Sequence, residues 1–360
     1  MSLFRIGTTG LAVAAALLAN IAYAQDPVDV RISFNQPETS PAWREAIKPF
    51  GDELESESNG QFRVTHYPGE VLHTVADGFR AAATRISEVT SAWPVYSANS
   101  FKLFHATELP LALPTSDVAA VRVVDELYPT YFKDEYERMG IYLAFNAVTP
   151  VYDILTTRPV NSLDDLQGMK IRAAGGGITD IVERLGATPV TMTITDAYTA
   201  FQQGVVDGII LNTADMVAYR LHEVGKYNYR IGVVRVAIPH AVNRAFYDGL
   251  SDELKEVFDT ASRNAGYNYQ QMYQRLTERA LETMAAEGVT VVNASEEDLA
   301  RADELLAPMW DAFVERNAGG SGPSAEQLVA DLRALTEKYS AMSDEEILAL
   351  KDVELIEGLR

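Results

Sequence analysis

The chain has 360 residues, and none of them is cysteine. Disulfides, thiol nucleophiles and cysteine metal ligands are therefore excluded. A chain without disulfides is stabilised by burial, for which a hydrophobic content of 47% is ample. A chain of this length more often forms two domains than one.

Basic residues are scarce: 30 lysines and arginines stand against 51 aspartates and glutamates, which gives a formal net charge of −21. Nucleic acids and anionic membrane surfaces bind clustered lysine and arginine, so we expect neither as a partner. The acid excess favours solubility. It does not decide the sign of a small ligand, because one or two arginines in a cleft are enough to bind an anion.

Long apolar runs are confined to the amino terminus. Arg5 precedes the apolar run Leu11–Ala19, which is followed by the signal-peptidase pattern Ala22-Tyr23-Ala24. We predict a signal peptide over residues 1–24 and a mature chain in the periplasm. A buried N-terminal helix is the alternative, but no polar residue gives this run an amphipathic face. The most apolar later stretch, 204–218, is interrupted by two aspartates, so we expect no membrane span.

The usual catalytic motifs are missing as well. The chain has no P-loop and no G-x-S-x-G nucleophile motif. Gly175-Gly176-Gly177 begins like a dinucleotide fingerprint, but Asp180 occupies the position of its third glycine. The histidines show no metal-ligand spacing and are expected to be structural or surface residues: His66, His73, His105, His222 and His240. We therefore predict a protein that is not an enzyme and that uses no cofactor and no metal.

Apolar periodicity predicts an α/β fold with two units. In the first unit, strand patterns alternate with helix patterns, in the order 28–34, 41–60, 62–67, 76–85 and 86–92. After Pro150 the alternation restarts, with strand patterns at 151–156, 169–173, 190–194 and 209–211. Ser162-x-x-Asp165 resembles a capping box, and Thr195 is the expected N-cap of a later helix. Helical patterns then cover 252–284 and 296–317, before a glycine-rich break at 319–323.

Arg172 is the most informative charged residue of the second unit. It ends a predicted strand just before a glycine-rich turn and a helix N-terminus. Ligands of open α/β sheets bind at the carboxyl ends of strands, and a guanidinium there matches a carboxylate with two hydrogen bonds. The alternative is a surface ion pair worth about 0–1 kcal/mol. Spacing alone leaves both interpretations open.

Three consecutive motifs resemble a known family. They are Leu163-Asp-Asp-Leu-Gln-Gly-Met-Lys-Ile-Arg172, Gly186-Ala-Thr-Pro-Val-Thr-Met192 and Ala197-Tyr-Thr-Ala-Phe-Gln-Gln-Gly-Val-Val-Asp-Gly208. At this spacing they are similar to the DctP-type solute-binding proteins of tripartite ATP-independent periplasmic (TRAP) transporters. Weaker similarities at 62–70, 108–111 and 247–254 extend the resemblance over essentially the whole mature chain.

The resemblance implies a two-lobed fold of the periplasmic-binding-protein type, with a hinge and long C-terminal helices. On this basis lobe I comprises residues 25–149 and about 239–273. Lobe II comprises 150–238 and part of 274–310, while residues 311–360 form C-terminal helices that pack on the lobes.

The resemblance also implies ligand-binding residues. Arg172 occupies the position of the family's carboxylate clamp, and Asn35 matches an asparagine near its N-terminal strand. Asn212 lies one residue later than a second family asparagine. Trp93 and Tyr152 replace an acidic residue and an arginine of the sialic-acid-binding members. These aromatics predict a monocarboxylate ligand with an apolar or aromatic body, although ordinary core packing is the alternative. A dicarboxylate is the other open choice, because Arg80 or Arg220 could supply a second arginine.

We therefore expect an extracytoplasmic receptor that captures a small organic acid and delivers it to the membrane permease subunits of a TRAP transporter. Two alternatives stay open at this point. One is an exported enzyme that acts on an organic acid, and the other is a ligand-sensing subunit of a membrane kinase.

Overall fold

The computed structural model describes residues 26–319 and 322–350. The predicted signal peptide lies outside these residues. Eleven strands are present in the described ranges: β1 (Val28–Ser33), β2 (Phe62–Tyr67), β3 (Val89–Ser91), β4 (Ile141–Phe145), β5 (Tyr152–Thr156), β6 (Lys170–Ala173), β7 (Thr188–Thr191), β8 (Gly208–Asn212), β9 (Tyr227–Arg230), β10 (His240–Asn243) and β11 (Thr290–Asn293).

Helices cover both sheets that these strands form. The α-helices of the described residues are α1 (Lys48–Glu57), α2 (Gly78–Ala83), α3 (Asp117–Leu127), α4 (Lys133–Glu137), α5 (Gly176–Arg184), α6 (Ile194–Gln202), α7 (Thr213–Ala218), α8 (Arg244–Asp248), α9 (Asp252–Ala286), α10 (Glu296–Leu306), α11 (Pro308–Asn317), α12 (Ala325–Ser340) and α13 (Asp344–Ala349). None of the helices within 26–319 and 322–350 is long and apolar enough to cross a membrane.

The first sheet, which we call sheet A, has the strand order β2-β1-β3-β10-β4. β1 pairs in parallel with β2 and β3, as the alternation of strands and helices predicts. β10 runs antiparallel to both β3 and β4, so the sheet is mixed. The sequence analysis identified neither β4 nor β10, whose short apolar runs lack a clear strand period.

The second sheet, sheet B, has the strand order β11-β9-β5-β8-β6-β7. The capping box at Ser162 and Asp165 is confirmed, and it opens a short 3₁₀ helix before β6. The predicted strand 190–194 is wrong in its bounds, because β7 pairs only with β6 and only over 188–191. Ile194 already belongs to α6, whose N-cap is Thr193 rather than Thr195. The mixed α/β class is confirmed.

Three segments connect the two sheets. Residues 147–152 and 234–238 run side by side, joined by backbone hydrogen bonds such as Thr149 N to Val236 O at 2.9 Å. The third is α9, whose 35 residues span about 52 Å and contact both α1 and α7. The chain thus passes between the sheets through two paired extended segments and one helix. Connections of this kind permit hinge motion.

The prediction of one helical stretch over 296–317 is wrong in one respect. The stretch divides into α10 and α11 at Pro308. Proline has no backbone N–H and cannot continue the hydrogen bonding of a helix, but it is well suited to a first helical position. Pro308 therefore ends one helix and starts the next.

Gly78 provides a test of how closely α2 packs on sheet A. A Cβ atom at this position would lie 1.9 Å from the backbone oxygen of Ser91 in β3, and a backbone atom cannot move aside easily. We expect Gly78→Ala to lower the free energy of unfolding by about 1–3 kcal/mol, as overpacking does, which chemical denaturation would measure.

The matched control is Gly322→Ala, because, chain neighbours aside, no atom of the described residues lies within 4 Å of its added Cβ. This variant should stay within about 0.5 kcal/mol of the wild type. Equal stability of the two variants would contradict the packing described here.

Candidate functional site

A small cavity lies where strands of both sheets end. Its walls come from the residues after β1, β3 and β6, from the start of α6 and α7, and from the segments that connect the sheets. This is the position at which α/β proteins bind ligands, because the carboxyl ends of strands converge there. Three of the predicted ligand-binding residues line the cavity together: Trp93, Tyr152 and Arg172.

Arg172 is fully buried in β6. Its Nε and Nη2 donate to the backbone oxygen of Met192 at 3.1 and 2.8 Å, and Nη2 also donates to the hydroxyl of Tyr96 at 3.3 Å. Nη1 has no acceptor among the described residues, and no described carboxylate forms an ion pair with the guanidinium. Asp215 faces the same cavity and interacts with Arg172 only at longer range. A buried cation without a direct ion-pair partner is energetically costly, so the site is suited to an anion.

The N-terminus of α6 is directed at the Tyr96 hydroxyl, which also accepts from Arg172. The backbone N–H of Ile194, the first residue of α6, donates to the Tyr96 hydroxyl at 3.1 Å. One oxygen atom therefore accepts from both the guanidinium and a helix N-terminal amide. A carboxylate oxygen takes donors of these two kinds more strongly than a phenol does, since its charge interacts favourably with the cation and with the helix dipole.

Aromatic residues form much of the remaining wall. Trp93 stacks on Tyr96 with ring centroids 6.1 Å apart, and its buried Nε1 has no acceptor among the described residues. Tyr152 is buried on β5, and burial raises the pKa of its phenol so that it stays neutral. Flat apolar faces with a few unpaired polar atoms are the usual composition of a small-molecule site.

Asn212 is placed differently from its prediction. It is the N-cap of α7: its Oδ1 accepts from the backbone N–H of Asp215 at 2.8 Å, and its Nδ2 donates to the Asp215 carboxylate at 2.7 Å. Asn212 does not line the cavity, whereas its neighbour Leu211 does. The physical reason is that both polar atoms of the Asn212 amide are used at the start of α7, by the backbone and the carboxylate of Asp215.

Asn35 also lies behind the wall rather than in it. Its Nδ2 donates to the hydroxyl of Tyr219 at 3.3 Å, and its Oδ1 accepts from Ser91 at 3.5 Å. The next residue, Gln36, contributes to the cavity lining, as does the ring of Tyr219. Asn35 is thus in a position to orient a lining residue.

Sequence reasoning missed an acidic group and three tyrosines of the cavity: Tyr96, Asp215, Tyr219 and Tyr273. Burial raises the pKa of Asp215 to about 6, although Asn212 and the hydroxyl of Tyr273 donate to its carboxylate. A weak signal exists in the spacing Asn212-x-x-Asp215, which is typical of a helix N-terminus. No local pattern brings Tyr273 of α9 to this site.

A larger cleft of about 780 Å³ adjoins the cavity, and the two share Val95, Tyr96 and Ala174 as lining residues. At the cleft, Glu108 accepts from the backbone N–H of Gly177 at 3.1 Å, at the N-terminus of α5. Glu108 therefore joins the sheet A side of the cleft to the sheet B side.

The glycine turn at 175–177 makes this contact possible. Gly176 has a φ of +51°, and a Cβ atom on it would lie 2.5 Å from the Glu108 carboxylate. The glycines thus allow close approach of the two sides of the cleft.

The cavity around Arg172 has a volume of only about 20 Å³. That volume is enough for about one water molecule, whereas sites for organic ligands are larger by an order of magnitude. Separation of the two sides at the adjoining cleft would widen it. The conformation described is therefore a closed one, and access to Arg172 requires opening.

Comparison with known proteins agrees with this geometry. Residues 32–317 match the family model described as bacterial extracellular solute-binding protein, family 7 (DctP). The C4-dicarboxylate-binding periplasmic protein DctP of Rhodobacter capsulatus is 24% identical over 321 residues, which cover 86% of this chain and 92% of the relative.

Two solved structures have the same fold, each with a TM-score of 0.81. One is a TRAP solute-binding protein from Rhodoferax ferrireducens in complex with copurified benzoate, at 22% identity and with coverage of 87% of this chain and 99% of that one. The other is a marine metagenome TRAP solute-binding protein specific for aromatic acid ligands, bound to 3-hydroxybenzoate, at 24% identity and with coverage of 88% and 99%. The predicted two-lobed fold is confirmed, and so is the resemblance: the chain belongs to family 7 of the bacterial extracellular solute-binding proteins, the DctP family.

Proposed function

We propose that this protein is the periplasmic receptor of a TRAP-type transporter and that it binds a small organic acid through Arg172. The observation that carries the proposal is the fully buried guanidinium without a carboxylate partner. A ligand carboxylate would supply the missing counter-charge. It would also take up the free Nη1 hydrogens and the amide N–H of Ile194, which now donates to a phenol.

We further propose that the ligand carries one carboxylate and an apolar, preferably aromatic, body. Arg172 is the only basic residue among the described residues that line the cavity. Arg80 and Arg220 are exposed and paired with Asp77 and Glu223, so neither supplies a second clamp. The stacked aromatic wall, and the benzoate and 3-hydroxybenzoate held by the two structural neighbours, support an aromatic acid.

Transport rather than catalysis is the role that the site supports best. Hinge closure over the ligand would bury it between the two lobes, and the closed form would then dock on the membrane permease subunits. The protein would reach the periplasm by cleavage of its signal peptide after Ala24. Related proteins are named as periplasmic, in agreement with this localisation.

Loss of the Arg172 side chain should weaken ligand binding strongly. Removal of one partner of a desolvated charge pair costs about 2–5 kcal/mol, which corresponds to a loss of about 30-fold or more in affinity for Arg172→Ala. Arg172→Lys should also bind poorly, because a lysine cannot form the two parallel hydrogen bonds. Calorimetry with the best carboxylate from a thermal-shift screen measures both. An affinity loss below about threefold for Arg172→Ala would exclude the clamp.

The same substitution should not harm the unliganded protein. Replacing the uncompensated guanidinium by an apolar side chain in Arg172→Met should leave the free energy of unfolding unchanged within about 1 kcal/mol, or raise it. Chemical denaturation in the absence of ligand is the measurement.

Arg235 is the matched control, because it is also buried but donates to Asp117 at 2.6 Å and to the backbone oxygen of Thr149. Arg235→Met leaves the partly buried carboxylate of Asp117 unpaired and should cost about 3 kcal/mol. If Arg172→Met destabilised the protein as much as Arg235→Met does, Arg172 would be a structural residue.

Monocarboxylates should bind more tightly than dicarboxylates of equal length, because a second carboxylate meets Asp215 and no second guanidinium. A thermal-shift screen of matched pairs tests this expectation. Trp93→Ala should reduce affinity for the best hit about tenfold, since it removes a stacking wall and an unpaired donor. The control Trp310→Ala alters a tryptophan of α11, whose ring contacts Arg333 outside the cavity, and should bind like the wild type. Tighter binding of dicarboxylates, or full affinity of Trp93→Ala, would refute the aromatic site.

A further inference from the structure

Asp215 is an acidic residue in a cavity that otherwise favours an anion. Its side chain is 9% exposed and lines the same cavity as Arg172. Tyr152 lies within electrostatic reach of both charges: Asp215 raises the pKa of its phenol, and Arg172 lowers it. The cavity therefore has a basic group on β6 and an acidic group at the start of α7, without an ion pair between them.

The two oxygen atoms of Asp215 are used unequally. Oδ2 accepts from the amide of Asn212 at 2.7 Å and from the hydroxyl of Tyr273 at 3.1 Å. Oδ1 has no donor among the residues that the structure describes. A carboxylate oxygen has two lone pairs that can accept hydrogen bonds. Oδ1 is thus an acceptor for which the described part of the protein supplies no partner.

The neighbours of Asp215 fix its orientation. Asn212 holds it through the capping interaction with its backbone N–H and through its carboxylate, and Tyr273 holds it from α9. Since both side-chain contacts are made to Oδ2, they leave Oδ1 free and preorganised to receive a donor. Structural support for α7 would need only the occupied oxygen.

We propose that Asp215 determines specificity at this site by selecting carboxylates that also carry a hydrogen-bond donor, such as a hydroxyl, an amide N–H or an ammonium group. The inference rests on the carboxylate receptor proposed above. The ligand carboxylate would bind Arg172, and the donor would bind Oδ1 of Asp215. A carboxylic acid without such a donor, which we call a plain acid, would leave Oδ1 desolvated and unpaired. A second carboxylate on the ligand would be repelled by Asp215.

The experiment uses ligands that differ only in the donor. Phenylacetate, mandelate and phenylglycine share one frame and carry hydrogen, hydroxyl or ammonium next to the carboxylate. Propionate, lactate and alanine repeat the series on an aliphatic frame. Calorimetry on the wild-type protein should show the donor-bearing members of at least one series binding about tenfold or more tightly than the plain acid, since the acceptor is charged.

Asp215→Asn should reduce this preference to less than about threefold, mainly by weakening the donor-bearing ligands. The matched control is Asp153→Asn. Asp153 is also buried, and burial raises its pKa to about 6 as well, but it pairs with Arg230 and does not line the cavity. Whatever stability the control loses, its ratio of affinities should equal that of the wild type. A purely structural role of Asp215 would leave that ratio unchanged in both variants.

The outcomes separate this inference from the proposed function. If the plain acids bind as tightly as their donor-bearing analogues, or if Asp215→Asn keeps the wild-type ratio, the role of Asp215 is refuted while the Arg172 clamp stands. If neither series binds, the best carboxylate from the thermal-shift screen is compared with its analogue that lacks the hydrogen-bond donor. If that best carboxylate carries no hydrogen-bond donor, the role of Asp215 is refuted. If no carboxylate binds, the proposed function itself fails.

Discussion

The burial of one guanidinium without a direct ion-pair partner is the constraint on which the site depends. Arg172 is held in β6 between two parallel neighbours, β7 and β8, and is anchored by the backbone oxygen of Met192. This anchor uses Nε and one hydrogen of Nη2, and it leaves the remaining donors directed to where strands of both sheets end. Such an arrangement lowers the free energy of unfolding of the ligand-free protein, and a bound anion would raise it again.

Closure of the molecule depends on contacts between the two sides. Tyr96 approaches from sheet A and meets Arg172 and Ile194 of sheet B, while Glu108 reaches the backbone of Gly177. These contacts involve few polar atoms. Other connections between the two sides are the paired segments 147–152 and 234–238, α9, and the C-terminal helices, which contact α5 on one side and α3 on the other. A ligand that bridged both sides would favour the closed form by its own contacts, which is the thermodynamic requirement for ligand-driven closure.

The sequence predicts this fold well where local patterns determine it, and less well elsewhere. The strand 62–67 and the capping box at Ser162 follow directly from alternation and from capping chemistry. The position of Arg172 follows from its place at a strand end. A ligand contact of Asn212 stays a prediction, because spacing does not distinguish an amide that caps a helix from one that faces a cavity. Tyr273 could not be found, since only the tertiary fold brings α9 to this site.

The most direct test of the central claim is mass spectrometry of the small molecules that copurify with the protein, compared between the wild type and Arg172→Ala. The account predicts a small carboxylic acid on the wild type, its absence from the variant, and its recovery without chemical change after prolonged incubation. A neutral or cationic ligand, equal retention by the variant, or conversion of the acid to another compound would contradict it.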